Sequence, residues 1–344
     1  MQSNKLNIEN LTTEKNSQTK KRVLIKLKSG KNFSDTVEGI IVAILGKSYF
    51  VKTTSNELID ATVSGSVVSP HKHKNVAVVG DIVLLILDSK HKSETGLSTG
   101  MIVEIKERKS YLSRRAAGKA NREHILASNA DYLGVMVSVS NPFYNKKLID
   151  RMLIASDAGE MDVFLIVNKI DEIENYDEIK EDLSIYEELG IDIFPISCIE
   201  NKGIDELRNF IEQKTIILAG QSGVGKSSLI NALIGDIVQQ VNIVSERTQK
   251  GQHTTSFVKM FELENNTKII DTPGIREFGL YGIEKTELCY FYKDFEEYFQ
   301  KCRFLPCTHT HEPDCEVINA VEQGQILYDR YESYINILES LEEI

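Results

Sequence analysis

A glycine-rich turn followed by a lysine and two serines is the strongest chemical signal in the chain. Residues 215–230 read TIILAGQSGVGKSSLI: an apolar run, the turn, then a helical pattern. Glycines let several backbone N–H groups converge on one phosphate, and the start of the following helix adds positive potential. We therefore predict a phosphate-binding loop in which Lys226 reaches the β- and γ-phosphates and Ser227 binds Mg²⁺. A chance glycine-rich turn is the alternative, disfavoured by the flanking strand and helix. The predicted loop comprises Gly220, Gln221, Ser222, Gly223, Val224, Gly225, Lys226, Ser227 and Ser228.

A second motif has the chemistry of guanine recognition. The segment NKID at 168–171 follows the apolar run 163–167. The Asp171 carboxylate can accept two hydrogen bonds from guanine, whereas adenine would leave it unpaired. A backbone N–H after the next apolar run, at residues 197–198, can meet the guanine carbonyl. Alone, four residues also fit a polar turn between a strand and a helix. The predicted base-binding residues are Asn168, Lys169, Asp171, Ser197 and Cys198, with Cys198 a small loop residue and not a nucleophile.

Two further polar segments are predicted to sense the terminal phosphate. The sequence DTPG at 271–274 follows an apolar run, so Asp271 is expected to contact Mg²⁺ through water and the Gly274 N–H to meet the γ-phosphate. Between this segment and the phosphate loop lies RTQKGQHTTSF, residues 247–257. Thr254 or Thr255 can close on Mg²⁺ and the γ-phosphate, and we favour Thr255.

The group that activates the attacking water departs from the usual GTPase pattern. Many GTPases place a glutamine directly after the D-x-x-G motif, but Ile275 stands there and cannot orient water. His253 is the nearest substitute, because imidazole can accept from or donate to the attacking water. The alternatives are an exposed loop histidine or one that touches RNA. The predicted catalytic residues are Lys226, His253 and Thr255.

The order of these motifs is unusual. The base motif at 168–171 precedes the phosphate loop at 220–227 and the DTPG segment at 271–274, whereas ordinary GTPases begin with the phosphate loop. Such a circular permutation is physically tolerable because the site is assembled from loops at the carboxyl ends of parallel strands.

Cysteines and histidines cluster near the C-terminus in CRFLPCTHTHEPDC, residues 302–315. Three thiolates and one imidazole would close a tetrahedral, structural Zn²⁺ site without an open catalytic position. His311 is an alternative nitrogen ligand, and reduced core cysteines near loop histidines are the alternative to a metal. The predicted zinc ligands are Cys302, Cys307, His309 and Cys315.

The length and composition of the chain limit the kind of protein in which these motifs lie. The chain has 344 residues, 41% of them hydrophobic, and a net charge of −11. These values favour a globular protein of two or three domains. The polar segment 1–20 reads as a disordered tail without the apolar core of a secretory signal. Five cysteines, an odd number, argue against a disulfide framework and for the cytoplasm.

The first third of the chain is basic and reads as all-β. Residues 1–125 hold 21 Lys and Arg against 12 Asp and Glu, and the remainder holds 19 against 39. Apolar, β-branched stretches begin at Val23, Gly39, Ser48, Val76 and Met101, which predicts a five-stranded OB-fold barrel. The charge suggests that this part meets a polyanion, although a solvated basic surface is the alternative.

From residue 130 onwards, apolar strands alternate with helical stretches such as 176–189 and 226–233. This pattern predicts an α/β domain with a mostly parallel sheet covered on both faces. A helical segment at 288–299, the cysteine cluster and an amphipathic stretch over 317–338 complete the chain. The predicted domains are a tail (1–20), the barrel (21–112), a permuted GTPase domain (113–283) and a mainly helical zinc-binding domain (284–344).

Taken together, these residues resemble the bacterial small ribosomal subunit biogenesis GTPases, which are ribosome-dependent and circularly permuted. The resemblance rests on the barrel, LSRRAAGK (112–119), the permuted motifs, GQHTT (251–255), DTPGIREFGL (271–280) and the cysteine segment. It implies GTP hydrolysis stimulated by the 30S subunit during late maturation, with GTP or GDP, Mg²⁺ and one structural Zn²⁺ bound. It also supports His253 as catalytic, because family members carry a hydrophobic residue where Ile275 stands.

The resemblance implies binding to the 30S subunit and 16S rRNA. We expect a monomer, because nothing in the sequence demands more, and we expect binding to neither DNA nor membrane, since no apolar run is long enough for a membrane helix. A non-enzymatic guanine-nucleotide sensor that binds RNA with negligible turnover is the alternative, motivated by Ile275. A permuted GTPase of the large subunit is disfavoured by the barrel and the metal segment.

Overall fold

The computed structural model describes residues 36–65, 67, 77–94, 96–116, 123–234, 258–272 and 278–341. The predicted tail, the strand from Val23, and the predicted site residues His253, Thr254, Thr255 and Gly274 lie outside these ranges. None of the helices within them is both long enough and apolar enough to cross a bilayer.

The N-terminal part forms a closed five-stranded barrel, as predicted for an OB-fold. Its strands pair in the ring β1–β2–β3–β5–β4–β1, parallel between β3 and β5 and antiparallel elsewhere. Fully buried Ile41, Val51, Ile59, Leu85 and Ile102 fill it. Strand β3 was not predicted, because LIDATV is short and interrupted by an aspartate. The strands are β1 (Thr36–Leu45), β2 (Ser48–Thr53), β3 (Leu58–Val63), β4 (Ile82–Lys92) and β5 (Ser98–Ile105).

A hairpin of β6 (Tyr111–Arg115) and β7 (Glu123–Ser128) follows the barrel and is tied to it by a buried ion pair. Arg108 donates two hydrogen bonds of 2.7 Å to Asp81, and the Ser128 hydroxyl donates to the same carboxylate at 2.6 Å. Because every carboxylate oxygen is hydrogen-bonded, this buried charge is compensated.

The central part is a six-stranded sheet in the order β10-β9-β8-β11-β13-β12, parallel except for β12. Near-continuous apolar strands, with Leu165, Val167 and Ile217 fully buried, require helices on both faces. This confirms the predicted α/β fold. The elements are β8 (Tyr132–Ser138), α1 (Lys146–Ala158), β9 (Asp162–Asn168), α2 (Asp177–Glu188), β10 (Asp192–Pro195), α3 (Ile204–Phe210), β11 (Thr215–Gly220), α4 (Lys226–Ile234), β12 (Lys259–Glu262) and β13 (Lys268–Asp271), with short 3₁₀ turns at Ile170–Glu172 and Glu264–Asn266.

The barrel and the α/β sheet are hydrogen-bonded to each other, which the sequence did not predict. Strand β12 pairs with β13 on one side and with barrel strand β1 on the other, giving one continuous eleven-stranded sheet. Because β12 has only four residues, KMFE, it carries no recognisable strand pattern.

The C-terminal part is helical and built around aromatic rings. The predicted helix at 288–299 is broken, because Tyr292 is extended (φ −104°, ψ 94°). Tyr292, Phe295 and Tyr334 pack with ring centroids 4.9–5.3 Å apart. The elements are 3₁₀ turns at Leu288–Phe291 and Lys293–Phe295, then α5 (Glu296–Phe299), α6 (Glu316–Glu322) and α7 (Tyr328–Ser340).

Candidate active site and metal centre

The predicted nucleotide loops meet at the carboxyl edge of the parallel strands. Asn168, at the end of β9, is buried and donates from its side-chain amide to the Val224 carbonyl at 2.8 Å. Its side-chain oxygen accepts from the Cys198 N–H at 3.3 Å, which brings in the loop after β10. One asparagine therefore joins the base motif, the second base loop and the phosphate loop.

The phosphate loop requires its glycines for steric reasons. Gly223 and Gly225 have φ values of +90° and +105°, which L-residues rarely adopt. A Cβ on Gly225 would lie 2.3 Å from the Asn168 side-chain nitrogen, and one on Gly220 would lie 2.2 Å from the Met136 carbonyl. The loop leads into α4, whose first residue is Lys226, so helical N–H groups point to where a phosphate is expected.

Lys226 and Asp271 form the electrostatic centre of this edge. The Lys226 ammonium donates to the carbonyls of Gly220 at 2.8 Å and Gln221 at 3.1 Å. Burial lowers the pKa of Lys226, an effect that Asp271 opposes. Burial raises the pKa of Asp271 to about 6, while Lys226 and Lys259 act in the opposite direction.

Asp271 also carries an unsatisfied atom. Its Oδ1 is buried and has no hydrogen-bond partner among the described residues. The neighbouring Thr272 hydroxyl is already engaged, donating to the Leu218 carbonyl at 2.9 Å. A buried carboxylate oxygen without a partner, on a residue that interacts electrostatically with Lys226, fits a hydrated Mg²⁺ ion.

The base motif is held in a bent conformation. Lys169 has a left-handed backbone (φ 67°), and its ammonium donates to the Asn141 carbonyl. Asp171 follows in the 3₁₀ turn Ile170–Glu172. Burial raises the pKa of Cys198 to about 11, with a contribution from Asp171, so the thiol is neutral and unsuited to nucleophilic attack.

The four predicted zinc ligands lie together. Cys302, Cys307, His309 and Cys315 are all buried, and their ligand atoms lie within 4.8 Å of one another. Cys315 Sγ is 3.9 Å from each of the other two sulfurs, and His309 Nδ1 is 3.6 and 3.4 Å from Cys302 and Cys315. A tetrahedral Zn²⁺ shell requires about 3.8 Å between sulfurs and about 3.6 Å between sulfur and nitrogen. The cluster therefore fits a zinc ion.

The other cysteine and histidine nearby are not part of this cluster. His311 is exposed and lies 2.7 Å from the Thr310 hydroxyl, and Cys289 packs in the hydrophobic core. Burial raises the pKa of the Cys307 and Cys315 thiols, so a bound cation is what would stabilise them as thiolates.

Three residues that the sequence analysis missed shape the metal loop. The Glu312 carboxylate accepts from the Thr308 hydroxyl and from the N–H groups of Thr308, Thr310 and His311. Burial acts to raise the pKa of this carboxyl, but hydrogen bonds from the Thr308 hydroxyl and from backbone N–H groups hold it well below the usual value. From α7, Tyr331 donates to the His309 carbonyl at 2.8 Å and Tyr334 to the Thr308 carbonyl at 2.9 Å. The sequence contained one signal for Glu312, which is the placement of this glutamate four residues after Thr308 in the loop.

The fold and the site define a class of protein: a circularly permuted P-loop GTPase with an N-terminal barrel and a C-terminal Cys₃His centre. The family model of the RsgA GTPase matches residues 105–281. A protein of Chlorobaculum parvum named Small ribosomal subunit biogenesis GTPase RsgA is 37% identical over 90% of this chain and 100% of its own length. The chain belongs to the RsgA GTPase family.

Solved structures agree with this assignment. The crystal structure of YjeQ from Thermotoga maritima covers 89% of this chain and 98% of its own, with 28% identity and a TM-score of 0.66. The crystal structure of YloQ, a circularly permuted GTPase, covers 91% and 98%, with 25% identity and a TM-score of 0.64. The protein is thus a GTPase whose family implies GTP, GDP and Mg²⁺ as ligands, and its Cys₃His cluster could hold zinc.

Proposed function

We propose that this GTPase binds the 30S ribosomal subunit and hydrolyses GTP during late maturation of that subunit. We also propose that the 30S subunit stimulates the GTPase activity. The naming of its relatives as small ribosomal subunit biogenesis enzymes supports this role. The observation that carries the nucleotide chemistry is the Asn168–Val224 hydrogen bond, which joins the base motif to the phosphate loop. The proposed setting is the cytoplasm, and the proposed state is a monomer.

We further propose a division of labour among the domains, with the boundaries 21–112, 113–283 and 284–344 after the tail. The basic barrel docks on 16S rRNA, because Lys and Arg release counterions from phosphates. The zinc-binding domain makes a second contact. Hydrolysis in the central domain then releases the protein from the matured subunit.

Within the site, the proposed roles follow from residue chemistry. Asp171 accepts from guanine, Asn168 and Lys169 hold the base loop, and residues 197–198 meet the guanine carbonyl. The loop 220–228 encloses the phosphates. Ser227 and Thr255, with Thr254 the alternative, would hold Mg²⁺, and Asp271 would contact it through water. Bound Mg²⁺ would neutralise charge that develops on the phosphates.

His253 is the proposed residue that orients the attacking water, and the Gly274 N–H is the proposed γ-phosphate contact. Lys226 stabilises charge on the departing β-phosphate oxygens. Since the relatives are named GTPases, hydrolysis is favoured over the alternative of a non-hydrolysing sensor.

The test is GTP turnover measured with and without purified 30S subunits, using 50S subunits as the control. We expect 30S subunits to raise the kcat for GTP hydrolysis and 50S subunits to leave it unchanged. Lys226→Ala should abolish turnover, and His253→Ala should lower the stimulated kcat while nucleotide affinity stays unchanged. Equal turnover with and without 30S subunits would contradict the proposal.

A further inference from the structure

Strand β12 is the place where the barrel meets the strand that carries Asp271. Lys259, its first residue, is the register partner of Asp271 in β13 and also of Ala43 in barrel strand β1. Cross-strand partners lie about 4.5–5.5 Å apart. A single residue therefore separates the barrel from Asp271, whose carboxylate is predicted to contact Mg²⁺ through water.

The barrel is shaped to accept this strand. The β1–β2 pairing has a register irregularity between Ile41 and Ala43, next to the residue that pairs with Lys259. A bulge of this kind bends a strand and disrupts its ladder locally. The disruption lies between Ile40, the last residue of β1 that pairs with β4, and Ala43, which pairs with Lys259. At this point β1 exchanges β4 for β12 as its neighbour on one edge, while it stays paired with β2 on the other.

A side-chain contact reinforces this junction at the other end of β12. Lys52 of barrel strand β2 forms an ion pair with Glu262, the last residue of β12. The two side chains are 21% and 34% exposed, so solvent screens the pair only partly. Backbone pairing at Lys259 and the ion pair at Glu262 together fix both ends of a four-residue strand.

Such a short strand has little intrinsic stability, so its position depends on the strands beside it. On one side stands β13 with Asp271, and on the other stands the barrel. A displacement of the barrel on its target would move β12. Asp271 is one of the four residues of β13 that pair with β12, so it would move with that strand.

We propose that Glu262 is a positioning residue for subunit-stimulated hydrolysis: held by Lys52, it fixes β12 so that docking of the barrel is transmitted to Asp271. This inference rests on the proposed function, since it concerns how the 30S subunit stimulates the same site. Neither Lys52 nor Glu262 belongs to the nucleotide-binding machinery, so basal hydrolysis does not depend on the pair.

The test compares Glu262→Lys, Lys52→Glu and the charge-swapped double variant, with Glu264→Lys as the matched control. Glu264 is exposed on the turn after β12, and its reversal changes net charge equally. The readouts are basal kcat, kcat with 30S subunits, and 30S affinity with a non-hydrolysable GTP analogue. We expect Glu262→Lys to lower the ratio of stimulated to basal kcat about five- to tenfold, because two ammonium groups then oppose each other.

The double variant should recover stimulation to within about twofold of the parent, as pairwise coupling requires. Basal kcat and 30S affinity of Glu262→Lys should stay within about twofold, which separates lost transmission from lost docking. Full stimulation of Glu262→Lys, or a double variant as impaired as the singles, would overturn the inference while the proposed function stands. If 30S subunits fail to stimulate the parent protein, both the proposed function and the inference about Glu262 are contradicted.

Discussion

Asn168 donates its side-chain amide to the Val224 carbonyl at 2.8 Å, across 56 positions of the chain. This bond joins the carboxyl end of β9 to the turn that precedes α4. The base and phosphate halves of the site are consequently one hydrogen-bonded unit, and the affinity for a nucleotide depends on both.

Replacing Asn168 with alanine should weaken nucleotide binding. The Val224 carbonyl and the Cys198 N–H would each lose a buried partner, at a cost of about 1–3 kcal/mol. We expect the Kd for a fluorescent GDP to rise at least about tenfold. Asn209→Ala, on the exposed side of α3, is the control and should leave the Kd unchanged. If Asn168→Ala and Asn209→Ala bound GDP with equal Kd, the hydrogen bonds of Asn168 between the loops would not contribute to nucleotide affinity.

Asp171→Asn should change base specificity. An amide can donate to the C2 carbonyl of xanthine, but it cannot accept both guanine hydrogen bonds. We expect GTP affinity to fall about a hundredfold or more and affinity for the xanthine nucleotide to rise. Competition binding with the two nucleotides measures this, with Glu172→Gln as the neighbouring control. Retention of guanine preference by Asp171→Asn would remove this residue from the base pocket.

Asp271→Asn should stabilise the nucleotide-free protein at neutral pH. Burial raises the folded-state pKa of this carboxyl from 3.8 to about 6, so the protonated form is the one that folding favours. The stability linked to its protonation is fully present below about pH 4 and is lost as the pH rises through about 6.

At pH 7.5 the asparagine variant should therefore be more stable in urea, by on the order of 1–2 kcal/mol, and hydrolyse GTP far more slowly. The difference in stability should vanish near pH 4. If the difference in the free energy of unfolding between Asp271→Asn and the parent protein were the same at pH 4 and pH 7.5, burial would not raise the pKa of this carboxyl.

Cys307→Ser should remove the metal. Loss of one thiolate leaves an incomplete shell, so the zinc content should fall from about one ion per chain to near zero. Elemental analysis measures the metal, and thermal unfolding should show a lower Tm for the C-terminal part. Cys198→Ser, outside the cluster, serves as the control with normal zinc content. Full zinc occupancy in Cys307→Ser would exclude Cys307 as a ligand.

Arg330→Met should destabilise the contact between α1 and the C-terminal helices. Arg330 binds the fully buried Asp150 and donates to Asp294 at 2.9 and 3.1 Å. Removing the guanidinium leaves Asp150 buried without a counter-charge, which costs about 3–5 kcal/mol.

The measurement is urea unfolding, and Arg303→Met is the control. Arg303 pairs with Asp314 at the surface, where such a pair contributes about 1 kcal/mol at most. Combining Asp150→Asn with Arg330→Met should recover part of the loss. Equal destabilisation by the two arginine variants would contradict the difference in burial.

Local spacing explains what could be predicted. The phosphate loop, the NKID motif and the cysteine segment each combine residues within about fifteen positions, so chain geometry alone brings their atoms close. The strands and helices of the α/β part could also be predicted, because buried parallel strands are apolar throughout and contrast with the helices between them. The segment predicted to be helical at 288–299 is helical but is broken at Tyr292, whose extended backbone lies within the aromatic core.

The sequence by itself predicted the ligand chemistry, namely which residues are expected to bind phosphate, guanine and zinc. It also showed that the order of these motifs is permuted. Only the tertiary structure decided which loops touch, as with Asn168 and Val224, and that β12 connects the barrel to Asp271. The Lys52–Glu262 pair spans 210 positions, and a four-residue strand has no signature of its own. Pairing between distant, weakly patterned segments is set by the packing of whole domains, and no local pattern encodes it.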